Sequence, residues 1–174
     1  MNEIRLQVSE LPSYARELTA GSRVLLTGTV YTARDAAHKR IAAAMDAGEA
    51  LPFPLKGAAI YYAGPTAARP GMVIGSCGPT TSSRMDVYTP KLLDAGLCCM
   101  IGKGPRSQDT VHAMVRNGAV YFCALGGAGA LACQCIKACE VIAYEELGCE
   151  SVKRLYVEDF PLVTAIDAKG GSLF

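Results

Sequence analysis

What most constrains this chain is an alternation that recurs along it: a short apolar run, a turn rich in glycine or proline, then a segment of helical composition. Val24-Leu25-Leu26-Thr27-Gly28-Thr29-Val30-Tyr31 predicts a buried strand. Residues 32–45 follow at once, Ala-rich and free of proline, with Thr32 as candidate N-cap and Arg34 in the first helical turn. Residues 58–63 predict another strand, ending in the exposed loop 64–71, and Met72-Val73-Ile74 a short one leading into a long loop and a helical segment to about Asp94. The cycle then repeats as strand 98–101, loop 102–105, helix 108–116 with Val111, Met114 and Val115 on one face, and strand 120–124. Ile4, Leu6 and Val8 alternate in a first strand, Gly126-Gly127-Ala128-Gly129 make a flexible turn, and residues 140–144, 152–157 and 162–167 predict late strands. Such alternation specifies an α/β domain, with neither internal repeat nor linker.

The 174 residues suit one domain, 1–174, large enough to bury a core without disulfides or metals. Seventeen basic against sixteen acidic residues leave a formal charge of +1, which gives no broad field for nucleic acid or an anionic membrane. Any anion site is therefore local. The opening Met1-Asn2-Glu3-Ile4-Arg5 has no apolar leader and no run could span a bilayer, so a cytoplasmic, reducing location is expected and the eight cysteines are read as free thiols. Most sit among small apolar residues, where a thiol packs as a small hydrophobe. The spacing of Cys133, Cys135 and Cys139 fits neither paired zinc ligands nor a ferredoxin run.

The most distinctive local sequence is Gly78-Pro79-Thr80-Thr81-Ser82-Ser83-Arg84. It offers free backbone N–H groups, four hydroxyls and a guanidinium at a predicted helix start, a combination that favours a carboxylate or phosphate. The plainer alternative is a helix cap beside a solvated charge. Lys103 lies between two glycines at the end of a predicted strand, where a ligand can approach closely; a solvated turn lysine is its plainer reading. His38 sits on the Ala-rich helix as either a supporting residue near Arg34 or a packing residue. His112 has no feature pointing to a site.

Two long segments carry a family resemblance. Residues 28–40, Gly-Thr-Val-Tyr-Thr-Ala-Arg-Asp-Ala-Ala-His-Lys-Arg, and 75–86, Gly-Ser-Cys-Gly-Pro-Thr-Thr-Ser-Ser-Arg-Met-Asp, resemble signature segments of class I iron-sulfur fumarases, in the same order. Met100-Ile101-Gly102-Lys103-Gly104 and Val157-Glu158-Asp159-Phe160-Pro161 extend the resemblance from about Gly28 to Asp167. In that family this region is the C-terminal domain of a single chain or a separate beta subunit, an arrangement shared with L-tartrate dehydratases, and the chain is similar to the separate subunit.

The resemblance implies a swivelling β/β/α domain that closes over a cluster-bearing partner. It implies that a [4Fe-4S] cluster is held by cysteines of an alpha subunit, in a complex expected to be (alpha-beta)2, with none bound by this chain. Arg34, Arg84 and Lys103 match positions that grip substrate carboxylates. Thr80 matches a threonine implicated in proton exchange with substrate carbon, with Thr81 and His38 secondary. A threonine hydroxyl is a poor base in water, so such a role requires neighbouring cations or donors that stabilise its deprotonated form.

The expected function is reversible hydration of fumarate to malate, or dehydration of tartrate to oxaloacetate, as the beta subunit of a hydro-lyase that works only with its alpha partner. The signature segments do not separate these substrates. The alternatives are a non-catalytic dicarboxylate-binding module built on the same three cations, and a cysteine-based redox or metal protein.

Overall fold

The computed structural model describes residues 3–124 and 129–174. In chain order the elements are β1 (Ile4–Gln7), α1 (Leu11–Tyr14), β2 (Arg23–Thr32), α2 (Asp35–Ala47), β3 (Ala59–Tyr61), α3 (Thr89–Asp94), β4 (Cys99–Gly102), α4 (Gln108–Asn117), β5 (Val120–Ala124), α5 (Gly129–Cys135), β6 (Ile136–Ala143) and β7 (Val152–Ile166). Short 3-10 segments occupy Val8–Glu10, Ala15–Glu17, Ser82–Met85 and Glu145–Glu150.

Strands β1 to β5 lie side by side and parallel, as strand-helix-strand crossovers require. β7 runs antiparallel to β5, β2 and β6, so the order β1-β2-β3-β4-β5-β7-β6 bends round and β7 closes a ring with β2. Because successive strand residues face opposite sides, the parallel strands β3, β4 and β5 each serve two cores, whereas β1 leaves Arg5 and Gln7 exposed. Ala59, Tyr61, Cys99, Ile101, Val120 and Phe122 point inward, where they meet Leu155, Val157, Phe160 and Leu162 of β7. Ile60, Met100 and Tyr121 point outward against Ile41 of α2, Leu92 and Leu93 of α3, and Ala113 and Met114 of α4. The layers are therefore strand, strand, helix: an α/β domain of β/β/α build.

Six details differ from the sequence expectations. Thr32 is not a helix cap: it ends β2, fully buried, and its Oγ1 accepts from the Lys153 backbone N–H at 3.1 Å. Arg34 is not in the first turn of α2 but at its N-cap, with extended backbone (φ −111°, ψ −163°). Met72-Val73-Ile74 is not a strand; Met72 and Val73 are about half exposed, because both edges of β3 and of β4 are already paired. The predicted strands 152–157 and 162–167 are one strand, β7. Pro161 does not break it, because it still stands opposite Leu25, and Asp159 absorbs the irregularity with φ +48° beside the register shift at Leu26/Gly28. β6 likewise starts at Ile136, earlier than the predicted 140, and Val115 of α4 is partly exposed rather than packed. The predicted turn at 126–129 lies outside the described residues except for Gly129, which opens α5.

Candidate functional site

The parallel strands all end on one edge, and the chain segments leaving that edge carry most of the candidate residues. In open α/β sheets this is where ligands sit. Arg34 follows β2, Gly64 follows β3 and Lys103 follows β4. The segment 75–84 then returns across the same edge. Ala63 pairs with Pro79, the Thr80 N–H donates to the Tyr62 carbonyl at 2.7 Å, and Thr81 bridges to Lys103. Thr80, Thr81 and Lys103, distant in sequence, are thus held side by side by backbone bonds.

Ser82 locks this arrangement. It is fully buried; its N–H donates to the Lys103 carbonyl at 3.0 Å, and its Oγ accepts from the Lys103 N–H at 3.0 Å. The Tyr121 hydroxyl lies 2.8 Å from Ser82 Oγ and 2.9 Å from the Gly104 carbonyl, which ties the segment to β5 as well. The close fit depends on Gly102, where a Cβ would overlap Ser82 Oγ and stand 2.8 Å from the Tyr62 ring. The glycine before Lys103, expected to admit a ligand, in fact admits this serine.

Arg34 lies across Gly64, where a Cβ would meet its Nη1 at 2.9 Å. Its Nε faces Glu150 Oε1 at 3.6 Å. The Arg34 carbonyl accepts two bonds from His38, one from the backbone N–H and one from ring Nδ1, both at 2.9 Å. His38 is fully buried, edge-on to Tyr62 and tilted against Tyr88. Burial pushes its pKa down to about 4, with Arg106 adding to the fall, while the bond to the Arg34 carbonyl and Asp35 oppose it. It is therefore neutral near pH 7, with Nδ1 protonated. Four buried polar atoms around the start of α2, namely Arg34 Nε, Asp35 Oδ1, His38 Nε2 and Glu150 Oε1, have no hydrogen-bond partner among the described residues.

Arg84 and Lys103 are exposed, as is Thr81, whereas Thr80 is half-buried. Among the described residues Arg34 is the one candidate cation of the three with an acidic neighbour. Arg84 sits in the 3-10 segment that follows Thr81. Its guanidinium and the Lys103 ammonium are free to meet an incoming anion.

Sequence reasoning missed three charged residues here. Arg106 is buried, its Nε donating to Asp86 Oδ1 at 2.7 Å and its Nη2 to Thr89 Oγ1 at 3.0 Å and the Tyr62 hydroxyl at 3.2 Å. Its guanidinium also lies over the Tyr62 and Tyr121 rings. Burial opposes its charge, but Tyr62, Asp86 and Tyr121 outweigh that and hold its pKa above the usual value. Asp86, the last residue of the second signature segment, demanded a cation; the sequence offers several and does not say which. Glu150 and Lys153, in a region without any chemical motif, gave no signal at all. Lys153 Nζ is surrounded by the Gly148, Cys149 and Ser151 carbonyls and by Ser151 Oγ at 2.7 Å.

Beside this rim a cavity of about 400 Å³ is lined by Pro65, Ala67, Ile74, Cys139, Cys149 and Lys153. Cys77 and Cys99 are buried, and burial pushes the Cys77 thiol up to about 12. Cys133, Cys135 and Cys139 pack against the inner core. Among the described residues no three of His, Cys, Asp or Glu come together as a metal-ligand group. No described helix is long and apolar enough to cross a membrane.

The chain is thus an α/β domain of β/β/α build whose strand ends present cations, hydroxyls and tight glycine turns. The chain is a member of the family described as Fumarase C-terminus, which matches residues 1–174. It is 42% identical to the anaerobic class I fumarate hydratase of Escherichia coli over the whole of this chain and 31% of that protein. It is 39% identical to fumarate hydratase 2 of Leishmania major, again over the whole chain and 30% of the relative. The putative L(+)-tartrate dehydratase subunit beta of Methanocaldococcus jannaschii is 36% identical, over 91% of this chain and 85% of that subunit. The chain thus spans about a third of the fumarate hydratases it matches and most of the separate subunit.

Proposed function

We propose that this chain is the beta-type part, 1–174, of a hydro-lyase that adds water to fumarate or removes it from tartrate, gripping the substrate carboxylates while a cluster-bearing alpha part completes the site. The observation that carries the reading is the backbone-bonded array at the strand ends, which sets Thr80 and Thr81 beside Lys103 with Arg34 over the neighbouring Gly64. Arg34 and Arg84 supply planar forks for the two ends of a dicarboxylate and Lys103 a point charge. Thr80 is the proton-transfer group of this chain, its hydroxyl acidity raised by those cations; Thr81 and His38 support it, His38 by fixing the Arg34 backbone.

The array is open to solvent, and Met72, Val73 and Leu131 expose large apolar side chains. Both features suit a surface covered by another chain, as expected for a beta subunit in an (alpha-beta)2 complex. The [4Fe-4S] cluster belongs to that partner, and a cytoplasmic location suits eight free cysteines. The test is anaerobic co-expression with a cluster-binding alpha subunit, then assays on fumarate, tartrate and mesaconate. Turnover of one of these by the complex, and by neither part alone, is expected. Tight dicarboxylate binding by this chain with no turnover in the complex would favour a binding module.

A further inference from the structure

Arg34 carries the heaviest duty in the proposed site, yet nothing on its own helix holds its side chain. It is the N-cap of α2 and makes no capping bond with its side chain. A guanidinium has two edges that can take a carboxylate in parallel bonds: Nε with one terminal nitrogen, or the two terminal nitrogens together. An unheld side chain samples both. In this structure one edge faces a carboxylate, since Glu150 Oε1 lies 3.6 Å from Nε, an ion pair longer than a hydrogen bond, with both side chains about one-quarter exposed. Both atoms are buried and have no hydrogen-bond partner among the described residues, so neither has an alternative claim on it.

Glu150 is not there by accident of a loose loop. It ends the stretch 145–150, two short turns joined by a kink at Gly148 (φ 62°, ψ −120°), the first of which is tied to α2 by the Arg40–Glu146 ion pair. The following turn is wrapped round a buried ammonium: Lys153 Nζ takes the Gly148, Cys149 and Ser151 carbonyls at 3.2 to 3.4 Å and Ser151 Oγ at 2.7 Å. The same turn is pinned to β2, because Thr32 Oγ1 accepts from the Lys153 N–H and reaches the Ser151 carbonyl at 3.4 Å. The Cys149 carbonyl stands against Gly64, the glycine under the Arg34 guanidinium. Lysine, turn, glutamate, arginine and glycine form one contiguous packed unit.

We propose that Glu150 is a positioning residue for Arg34: carried by the turn wrapped round Lys153, its carboxylate takes the Nε side of the guanidinium and leaves the terminal nitrogens for a substrate carboxylate. This rests on the reading that Arg34 grips substrate. Lys153 serves the unit as an internal cation whose carbonyl shell sets the height at which Glu150 leaves the turn.

The test uses the reconstituted alpha-beta complex for kinetics and this chain, labelled with ¹⁵N, for the arginine Nε–H signals. Glu150→Ala is expected to raise KM for the dicarboxylate about tenfold or more while kcat changes little, since a misplaced binding group costs that order in productive association. Glu150→Gln keeps an oxygen for Nε–H and should restore KM to within about threefold, an outcome a purely structural role would not single out. In the chain alone, the Arg34 Nε–H should exchange slowly in the native protein and in Glu150→Gln, and fast in Glu150→Ala. Glu150→Asp, which withdraws the carboxylate by one methylene, gives the same reading should the alanine variant fold poorly, and a melting curve accompanies each. An Arg34 Nε–H signal indifferent to Glu150, with Arg34→Lys raising KM, would overturn the positioning role and leave the grip intact. Nε–H signals that respond to Glu150 while neither Arg34→Lys nor Glu150→Ala alters KM would instead remove Arg34 from the substrate site.

Discussion

His38 offers a measurement that needs no partner chain. The native ring is buried and neutral, its pKa pushed down from 6.5 to about 4 chiefly by burial. The unfolded chain regains the ordinary value. Between those limits the unfolded state binds a proton that the native state refuses, so stability falls as pH drops through 6.5 and levels off below about 4. At 1.36 kcal/mol for each pH unit, the interval is worth about 3 kcal/mol, a large share of the 5 to 15 kcal/mol typical of a domain. The groups facing the ring agree with the sign: Arg106 disfavours its protonation, while Asp35 and the Arg34 carbonyl only partly offset burial. The assay is a series of urea denaturation curves from pH 7.5 to 4.5 on the native chain and on His38→Asn. Asparagine carries an N–H close to the position of Nδ1, so the bond to the Arg34 carbonyl can persist without a titrating group. The native chain should lose 2 to 3 kcal/mol more than the variant across that range, to an order of magnitude. Parallel pH dependences for the two proteins would refute the reasoning and return the acid sensitivity to surface carboxylates.

Three further outcomes are expected. Arg106→Met removes one partner of a buried pair and strands Asp86, and breaking such a pair costs about 3 to 5 kcal/mol, read as a lower denaturation midpoint; an unchanged midpoint would mean water replaces the guanidinium freely. Arg84→Lys keeps the charge but loses the planar fork, and loss of one charge-assisted bond of about 1.5 to 3 kcal/mol should lower kcat/KM roughly ten- to a hundredfold in the complex; unchanged kinetics would leave Arg84 a surface charge. Thr80→Ala should lower kcat by about 10² to 10⁴-fold while an inhibitor titration changes little, with Thr80→Ser keeping part of the activity; near-normal turnover would reduce this chain to carboxylate binding alone.

The elements that could be read from the sequence were those whose pattern is local. Residues 98–101 and 120–124 are apolar on both faces because both faces are covered, residues 24–31 carry Val24, Leu26 and Val30 on the buried face, and the three runs stand as β4, β5 and β2. Where tertiary pairing decides, local signals failed. Met72-Val73-Ile74 is as apolar as a strand but finds both edges of β3 and of β4 taken, and Pro161 is a strand breaker by propensity but sits where a bulged strand tolerates it. Thr32 was the best local cap and became the last residue of a strand because Lys153, 121 residues later, pairs with it. In the site, Thr80, Thr81, Arg84 and Lys103 were marked by glycine, proline and hydroxyl composition. Glu150, Lys153 and Arg106 were invisible because a buried charge is defined by what surrounds it, and their surroundings come from other parts of the chain.

The closing of the ring by β7 has a bearing on how such a domain is made and inherited. The strand that bonds β2, β5 and β6 together follows the other six strands of the sheet in the chain, so a ribosome must release residues up to about 166 before the inner core can shut. Until then β2 has one edge waiting and its apolar side chains bare. A gene break anywhere between β2 and β7 would strand both pieces. A break or a join beyond those limits leaves the ring whole, so the same unit can make up about a third of a longer polypeptide, as in the fumarate hydratases, or most of a subunit, as in the Methanocaldococcus jannaschii relative.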